Sequence, residues 1–312
     1  MGGATPRLGA GPRYTPGAAP EPMTKLRIAI LMHERDSKHV VGRYIITLMA
    51  EHWRDDGHEV VFLFGTDTFV PADLVIVHVD LSVVPDRYLE FAGRYPVAVN
   101  GRVADIRKRT IGRGLTLQAG DAWAGPVIVK SDLNYGGLPE KRRLDQPGDP
   151  RLLRALRPHL SRWGVTPPSF GASGPASYRV LENLAEVPAE VFTDPALVVQ
   201  KFLPERDGPH YCVRHFSFLG DRSSCVRLRT AGPIVNGTNS APVESMEIHP
   251  GIVQMREELG FDYGKFDFVV VDGEAVLLDA NKTIGCARNI VNDPELRRLR
   301  RYRADGLYSF LN

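Results

Sequence analysis

Between Lys25 and Gly101 the apolar residues fall into short continuous runs separated by two longer amphipathic stretches, a β-α-β-β-α-β pattern. LRIAILM opens it as a strand. Val40 to Asp56 places Val41, Tyr44, Ile45, Leu48 and Met49 on one face and stops at Gly57, which predicts a helix. EVVFLFG and ADLVIVHVD are apolar at nearly every position, as strands buried on both faces of a sheet are. PDRYLEFAGRY then predicts a second helix and PVAVNG another strand. Residues 25–101 are therefore expected to form a small parallel α/β domain that binds ligands at the carboxyl edge of its strands. HERDSKH lies at that edge, so Glu34 and Asp36 are candidates to grip a substrate ammonium group; solvated loop charge is the competing reading.

Residues 102–196 follow no single period. Gln146 to Pro150 and Pro167-Pro168 break the chain around a basic helical stretch, Arg151 to Trp163, and a lobe that covers phosphates is expected here. In residues 197–312 strand patterns return: LVVQKFLPERD, then YCVRHFSFLGDRSSCVRLRT around Leu219-Gly220-Asp221, then GKFDFVVVDGEAVLLDANKTIG. The last reads as a hairpin, with Asp272-Gly273 between two β-branched and aromatic runs. A strict two-residue turn would pair Asp267 with Leu278 and put Asp279 on the other face. A three-residue loop at Asp272, Gly273 and Glu274, or an equivalent bulge, would set Asp267 opposite Asp279, with Asn281 two positions further along the same face. That arrangement is the one predicted. Residues 1–24 are Gly-, Pro- and Ala-rich and are expected to be disordered, and Met23 just before the first strand fits an upstream start.

Composition narrows the class. The 312 residues are 43% hydrophobic, enough for a sizeable core, and 39 Lys plus Arg against 37 Asp plus Glu give no general argument for nucleic acid. No apolar run is long enough to span a membrane and no signal peptide core is evident. Cys212, Cys225 and Cys286 make no disulfide framework or metal spacing, so they are expected to be reduced packing residues in a cytoplasmic protein. His33, His39, His210 and His215 also lack metal-ligand spacing, and RRLRRYR, Arg297 to Arg303, is expected to be a solvated helix face.

The candidate chemistry lies in three segments. Asp267, Asp279 and Asn281 end apolar strands in carboxylate and amide oxygens, a set that suits Mg²⁺ when phosphates supply its other ligands. In GPVIVKSDLNYGG a strand delivers Lys130 and turns into a loop, Asn134, Gly136 and Gly137, whose backbone N–H groups are placed to wrap phosphate oxygens. The lysine precedes the glycines, so this is no Walker loop. LVVQKFLPERD offers hinge backbone and a carboxylate.

In this order the three segments resemble the ATP-grasp superfamily, from about Lys25 onward. The resemblance implies an ATP-grasp fold, α/β and α+β, with a small parallel α/β domain ahead of it. It also implies ATP and Mg²⁺ as cofactors, with Lys108 and Lys130 on the phosphates, Gln200, Lys201, Phe202 and Leu203 as the adenine hinge, and Glu205 on the ribose. Asp267, Asp279 and Asn281 look like the family's metal motif, with Asp279 where a longer glutamate is usual and Gln200 where the hinge usually begins with glutamate. By the same resemblance Arg214, Arg227 and Arg229 contact phosphate or substrate carboxylate, Lys265 steadies the transferring phosphoryl group, and Asn236 and Asn239 lie on a substrate-side loop. The implied activity is ATP-dependent joining of a small carboxylate to an amine, with a homodimer as a candidate assembly and neither nucleic acid nor membrane as a partner. A small-molecule kinase and a non-catalytic nucleotide-binding protein are the alternatives. Loss of one metal carboxylate is expected to spare the fold, because two unneutralised carboxylates repel each other.

Overall fold

The computed structural model describes residues 24–36, 42–144, 178–235, 240–286 and 294–311. Asn236, Asn239, the tail before Thr24 and the stretch Arg151 to Trp163 lie outside these residues.

The first unit comprises β1 (Arg27–Met32), α1 (Ile45–Asp55), β2 (Glu59–Phe64), β3 (Leu74–Val77), α2 (Asp86–Ala92) and β4 (Ala98–Val99). Its strands are parallel in the order β2-β1-β3-β4. Every residue of β3 is buried, which explains an apolar run without alternation. Helix α1 starts later than its pattern predicts. Tyr44 is extended and bridges to Gly285, and the Ile45 N–H donates to the Ile284 carbonyl at 2.9 Å. The buried line is consequently Ile46, Met49, Ala50 and Trp53, one position round from the expected Ile45 and Leu48.

Next come α3 (Lys108–Ile111), β5 (Val127–Ser131), a 3-10 turn over Asn134–Gly137, α4 (Leu138–Leu144), β6 (Arg179–Leu181), α5 (Ala189–Thr193) and β7 (Leu197–Lys201). The three strands form an antiparallel sheet, β6-β5-β7, so this layer continues through Lys201 rather than ending before Leu197.

The largest layer is a six-stranded antiparallel sheet: β8 (Glu205–Asp207), β9 (His210–Leu219), β10 (Arg222–Thr230), β11 (Ala241–Ser245), β12 (Tyr263–Val271) and β13 (Glu274–Asn281). Helix α6 (Pro250–Glu258) precedes β12, and α7 (Pro294–Ala304) follows β13. One face buries Phe216, Phe218, Phe266, Phe268 and Leu277 together with Ile252 of α6. The expected solvated face of α7 is only partly so: Arg301 pairs with Asp56 at 2.7 Å and Asp305 at 2.9 Å, and Arg300 is buried.

Asn100 fastens the parallel sheet to this layer. Held at φ 59°, it donates from Nδ2 to the Tyr263 carbonyl at 2.8 Å and accepts at Oδ1 from the N–H groups of Asp262 and Tyr263 at 2.9 and 3.0 Å.

The β12–β13 hairpin carries the predicted parity by a bulge and not by a longer loop. Val271 pairs with Glu274, leaving Asp272 at φ 52° and Gly273 at φ 83° as a two-residue turn. Asp267 pairs with Asp279 but Phe268 with Leu277, so Leu278 is the extra residue.

Candidate active site

A cleft of about 620 Å³ opens between the three layers. Strand alternation decides what enters it. On β12, Lys265, Asp267 and Val269 face the cleft while Phe266 and Phe268 fill the core behind. Asp279 and Asn281 of β13 join them, with Val213 and His215 of β9. Lys108 and Lys130 enter from the opposite side, on α3 and β5.

The charges form a compact group. Lys108 Nζ lies 3.4 Å from Asp279 Oδ1, Lys265 Nζ 2.8 Å from Asp267 Oδ1, and His215 Nε2 3.4 Å from the same atom. Neither Oδ1 accepts an aligned hydrogen bond, although both are buried. Burial acts to raise the Asp267 pKa, but Lys265, His215 and Lys108 outweigh it and leave the carboxyl below its usual range. For Lys108, burial acts downward and Asp279, Tyr178 and Asp132 more than offset it, so the ammonium is held. At Lys130 burial, then repulsion from Lys108, outweigh the opposing pull of Asp279 and Asp267 and lower its pKa to about 7. Its Nζ donates to the carbonyl of Leu278, the bulged residue, at 3.2 Å. Burial also lowers His215, against the pull of Asp267. Lys108 against Asp279 and Lys265 against Asp267 correct the expectation that the pair simply repels itself.

The loop beyond Lys130 has a constrained backbone. Tyr135, Gly136 and Gly137 have φ of 48°, 67° and 71°, a left-handed run that glycine tolerates and tyrosine does not favour. Asn134 and Tyr135 line the cleft; Gly136 and Gly137 are buried behind them. The hinge residues Gln200, Lys201, Phe202 and Leu203 line it as well. Gln200 is buried, donating from Nε2 to the Lys108 carbonyl at 3.1 Å, and its Oε1 accepts no hydrogen bond. Ile128, Val269 and Leu278 supply apolar surface near this hinge.

Several expected contacts lie elsewhere. Glu205 is buried, accepting from Arg214 Nε at 2.9 and 3.0 Å and from the Val270 N–H at 2.8 Å, so its carboxylate is already satisfied and does not line the cleft. Arg214, Arg227 and Arg229 share strand parity with Phe216 and Cys225, which turns them to the face away from the cleft. There Arg227 pairs with Asp207 at 3.4 Å and with Glu244, and Arg229 with Asp207 at 3.1 Å. Glu34 is outside the cleft, bound by Arg87 at 2.7 Å and by the Tyr88 hydroxyl.

Sequence reasoning missed His215, Tyr178, Tyr44 and Asp80, all of which line the cleft. His215 had a usable signal: it shares parity with Ser217, opposite the aromatic face of Phe216 and Phe218.

No family model matches the chain, and no curated protein matches it. Among solved structures it is similar to a RimK domain protein ATP-grasp from Sphaerobacter thermophilus DSM 20745, at 15% identity over 92% of this chain and 100% of that one, TM-score 0.44. A D-alanine–D-alanine ligase from Bacillus anthracis complexed with ATP is 12% identical over 91% of this chain and 97% of that one, TM-score 0.44. The macrocyclase MdnC from Microcystis aeruginosa MRC, bound with precursor peptide MdnA, is 10% identical over 90% and 99%, TM-score 0.46.

The donor set fits a hard cation. Two buried carboxylate oxygens without aligned donors and the neighbouring Asn281 amide offer only oxygen, and the lysines beside them suit polyphosphate oxygens. Among the described residues no helix is long and apolar enough to cross a membrane, and no group of three His, Cys, Asp or Glu side chains could hold a metal ion. Protein oxygen alone would thus give an incomplete shell, which phosphate oxygens and water would complete.

Proposed function

We propose that the chain is an ATP-dependent carboxylate–amine ligase acting through an acyl phosphate. The observation that carries this reading is the facing pair Asp267 and Asp279, each with a buried oxygen lacking an aligned donor, enclosed by Lys108, Lys130 and Lys265 in a cleft with an apolar hinge at one end. Mg²⁺ held by Asp267, Asp279 and Asn281 would neutralise the phosphates and orient them. Lys108 and Lys130 bind phosphate oxygens, and the backbone of Asn134 to Gly137 covers them. Gln200 to Leu203 hold the base against Ile128, Val269 and Leu278. Lys265 is placed to steady charge on the γ-phosphoryl group as the substrate carboxylate attacks it. An amine then displaces phosphate, so catalysis asks the chain for positioning and charge neutralisation and needs no side-chain nucleophile. With Arg227 ion-paired on the far face, Lys265 is the remaining catalytic candidate.

ADP release screened across pairs of small carboxylates and amines tests this. The ligase reading expects release that requires both partners, frees inorganic phosphate and disappears in Lys130→Ala. Phosphate retained on a hydroxyl product would identify a kinase instead, and release equal to the Lys130→Ala control would leave only nucleotide binding.

A further inference from the structure

Three parts of the cleft are fastened to one short segment, residues 80–82, which follows β3 at the carboxyl edge of the parallel sheet. Its first two residues hold the end of the metal strand. The Thr283 hydroxyl donates to Asp80 Oδ1 at 2.7 Å, beside a bond from the Tyr44 hydroxyl to Oδ2, and the buried Lys282 ammonium donates to the Leu81 carbonyl. Lys282 and Thr283 come directly after Asn281, so these contacts fix where β13 ends. The third residue, Ser82, is 1% exposed, and its polar groups go to three further places. Its N–H donates to Glu140 Oε1 at 2.7 Å, its Oγ accepts from the Asn134 N–H at 2.8 Å, and its carbonyl accepts from the Ile106 N–H at 2.8 Å. Ile106 stands two residues before Lys108, Asn134 opens the phosphate loop, and Glu140 lies in the first turn of α4 beyond that loop.

The backbone between the two bonded ends explains why they are held. Tyr135 has φ 48°, followed by Gly136 and Gly137 at 67° and 71°. A residue with a Cβ is disfavoured there, and such a conformation persists only where its surroundings over-determine it. The Asn134 N–H on one side of the run and the Glu140 carboxylate on the other both end on Ser82. Ser82 does not line the cleft, and it reaches phosphates only through the loop it holds.

We propose that Ser82 is a positioning residue for the nucleotide phosphates: with Glu140 it clamps the loop Asn134–Gly137 in its left-handed shape and sets that loop in register with the metal strand and Lys108. The proposal rests on the nucleotide reading for the identity of the ligand, but the clamp can be measured with no ligand present. A serine suits the post because one small residue offers a side-chain acceptor, a backbone donor and a backbone acceptor within a few ångströms of each other.

The test uses the full chain and Ser82→Ala, which removes a hydroxyl and little volume. In hydrogen exchange without nucleotide, residues 134–140 of the variant should exchange about 10-fold faster than in wild type, with the β12–β13 hairpin unchanged. Titration calorimetry should show Mg·ATP bound about 10-fold more weakly, and KM for ATP should rise by a similar factor while KM for the other substrates stays. Glu140→Ala should reproduce the loss, and Glu140→Gln, which keeps the Oε1 acceptor, should not. In a Tyr135→Gly background Ser82→Ala should cost less, because glycine takes positive φ without being held there. Mg·ATP binding of wild-type strength in Ser82→Ala, Glu140→Gln as damaging as Glu140→Ala, or an equal cost in both backgrounds would overturn the clamp. A wild-type chain that binds no Mg·ATP would overturn the nucleotide reading instead. Exchange would then decide the clamp alone, faster at residues 134–140 in Ser82→Ala if it stands and unchanged if it falls.

Discussion

Two acidic stations on the large sheet look alike in sequence and differ in how they are finished. Glu205 is buried and meets three donors, two from Arg214 and one from the Val270 backbone, all within hydrogen-bond distance. Asp267 and Asp279 are half-buried in the cleft wall with lysines nearby, yet each keeps a buried oxygen that no aligned donor reaches. A buried carboxylate with its donors in place belongs to the framework, whereas one left short is an open position for a cationic ligand. Motif position alone would assign both stations to ATP. Hydrogen-bond satisfaction separates them.

The strongest test of that separation is Asp279→Asn. ADP release should fall by about 100- to 1000-fold, the scale of losing one preorganised electrostatic contact. The Mg·ATP thermal shift should vanish with it. Without nucleotide the variant should also be somewhat less stable than wild type, because buried Lys108 loses its counter-ion. Unchanged turnover would place the cation elsewhere.

Glu205→Gln should do the reverse. Urea unfolding should show a loss of about 3 kcal/mol, since Arg214 is left without its buried partner, while the Mg·ATP shift persists. A variant of wild-type stability that no longer responds to Mg·ATP would return Glu205 to the nucleotide.

A smaller effect concerns Lys130 and pH. Its folded pKa is about 7 against a usual 10.5, because burial and then Lys108 oppose its charge. Between those values the unfolded chain holds a proton that the folded chain has released, so nucleotide-free stability contributed by this group rises with pH across the window and is lowest below 7. Lys130→Met should flatten that rise and gain stability at pH 6, yet respond less to Mg·ATP. Parallel urea titrations of both proteins at pH 6 and pH 9 measure it; identical slopes would mean that Lys130 stays charged throughout.

How much of this was legible follows from what each segment buries. The parallel sheet could be read directly, because strands covered on both faces are apolar without interruption. The opposition of Asp267 and Asp279 followed from counting residues between two carboxylates, although the count could not distinguish a longer turn from the bulge at Leu278. The arginines of β9 and β10 were misassigned for want of a face: Arg214 shares parity with Phe216 and Phe218, and that pairing was visible before any coordinates. Asp80 was harder. It ends an apolar run at the carboxyl edge of the third strand, but its two hydroxyl donors lie 36 and 203 residues away in sequence, and only the fold brings them together.

The bulge at Leu278 also governs which changes of length the hairpin can accept. Adding two residues at the Asp272-Gly273 tip, one to each strand, would leave every side chain on its present face. Deleting Leu278 alone would restore a regular ladder, Phe268 opposite Leu277 and Asp267 opposite Asp279, with both carboxylates still on the cleft face; what it would remove is the bulged carbonyl that accepts from Lys130. A hairpin one residue shorter on β13 would therefore hold the same facing carboxylates, and the distinct contribution of the bulge is the Leu278 carbonyl that it presents to the buried Lys130 ammonium.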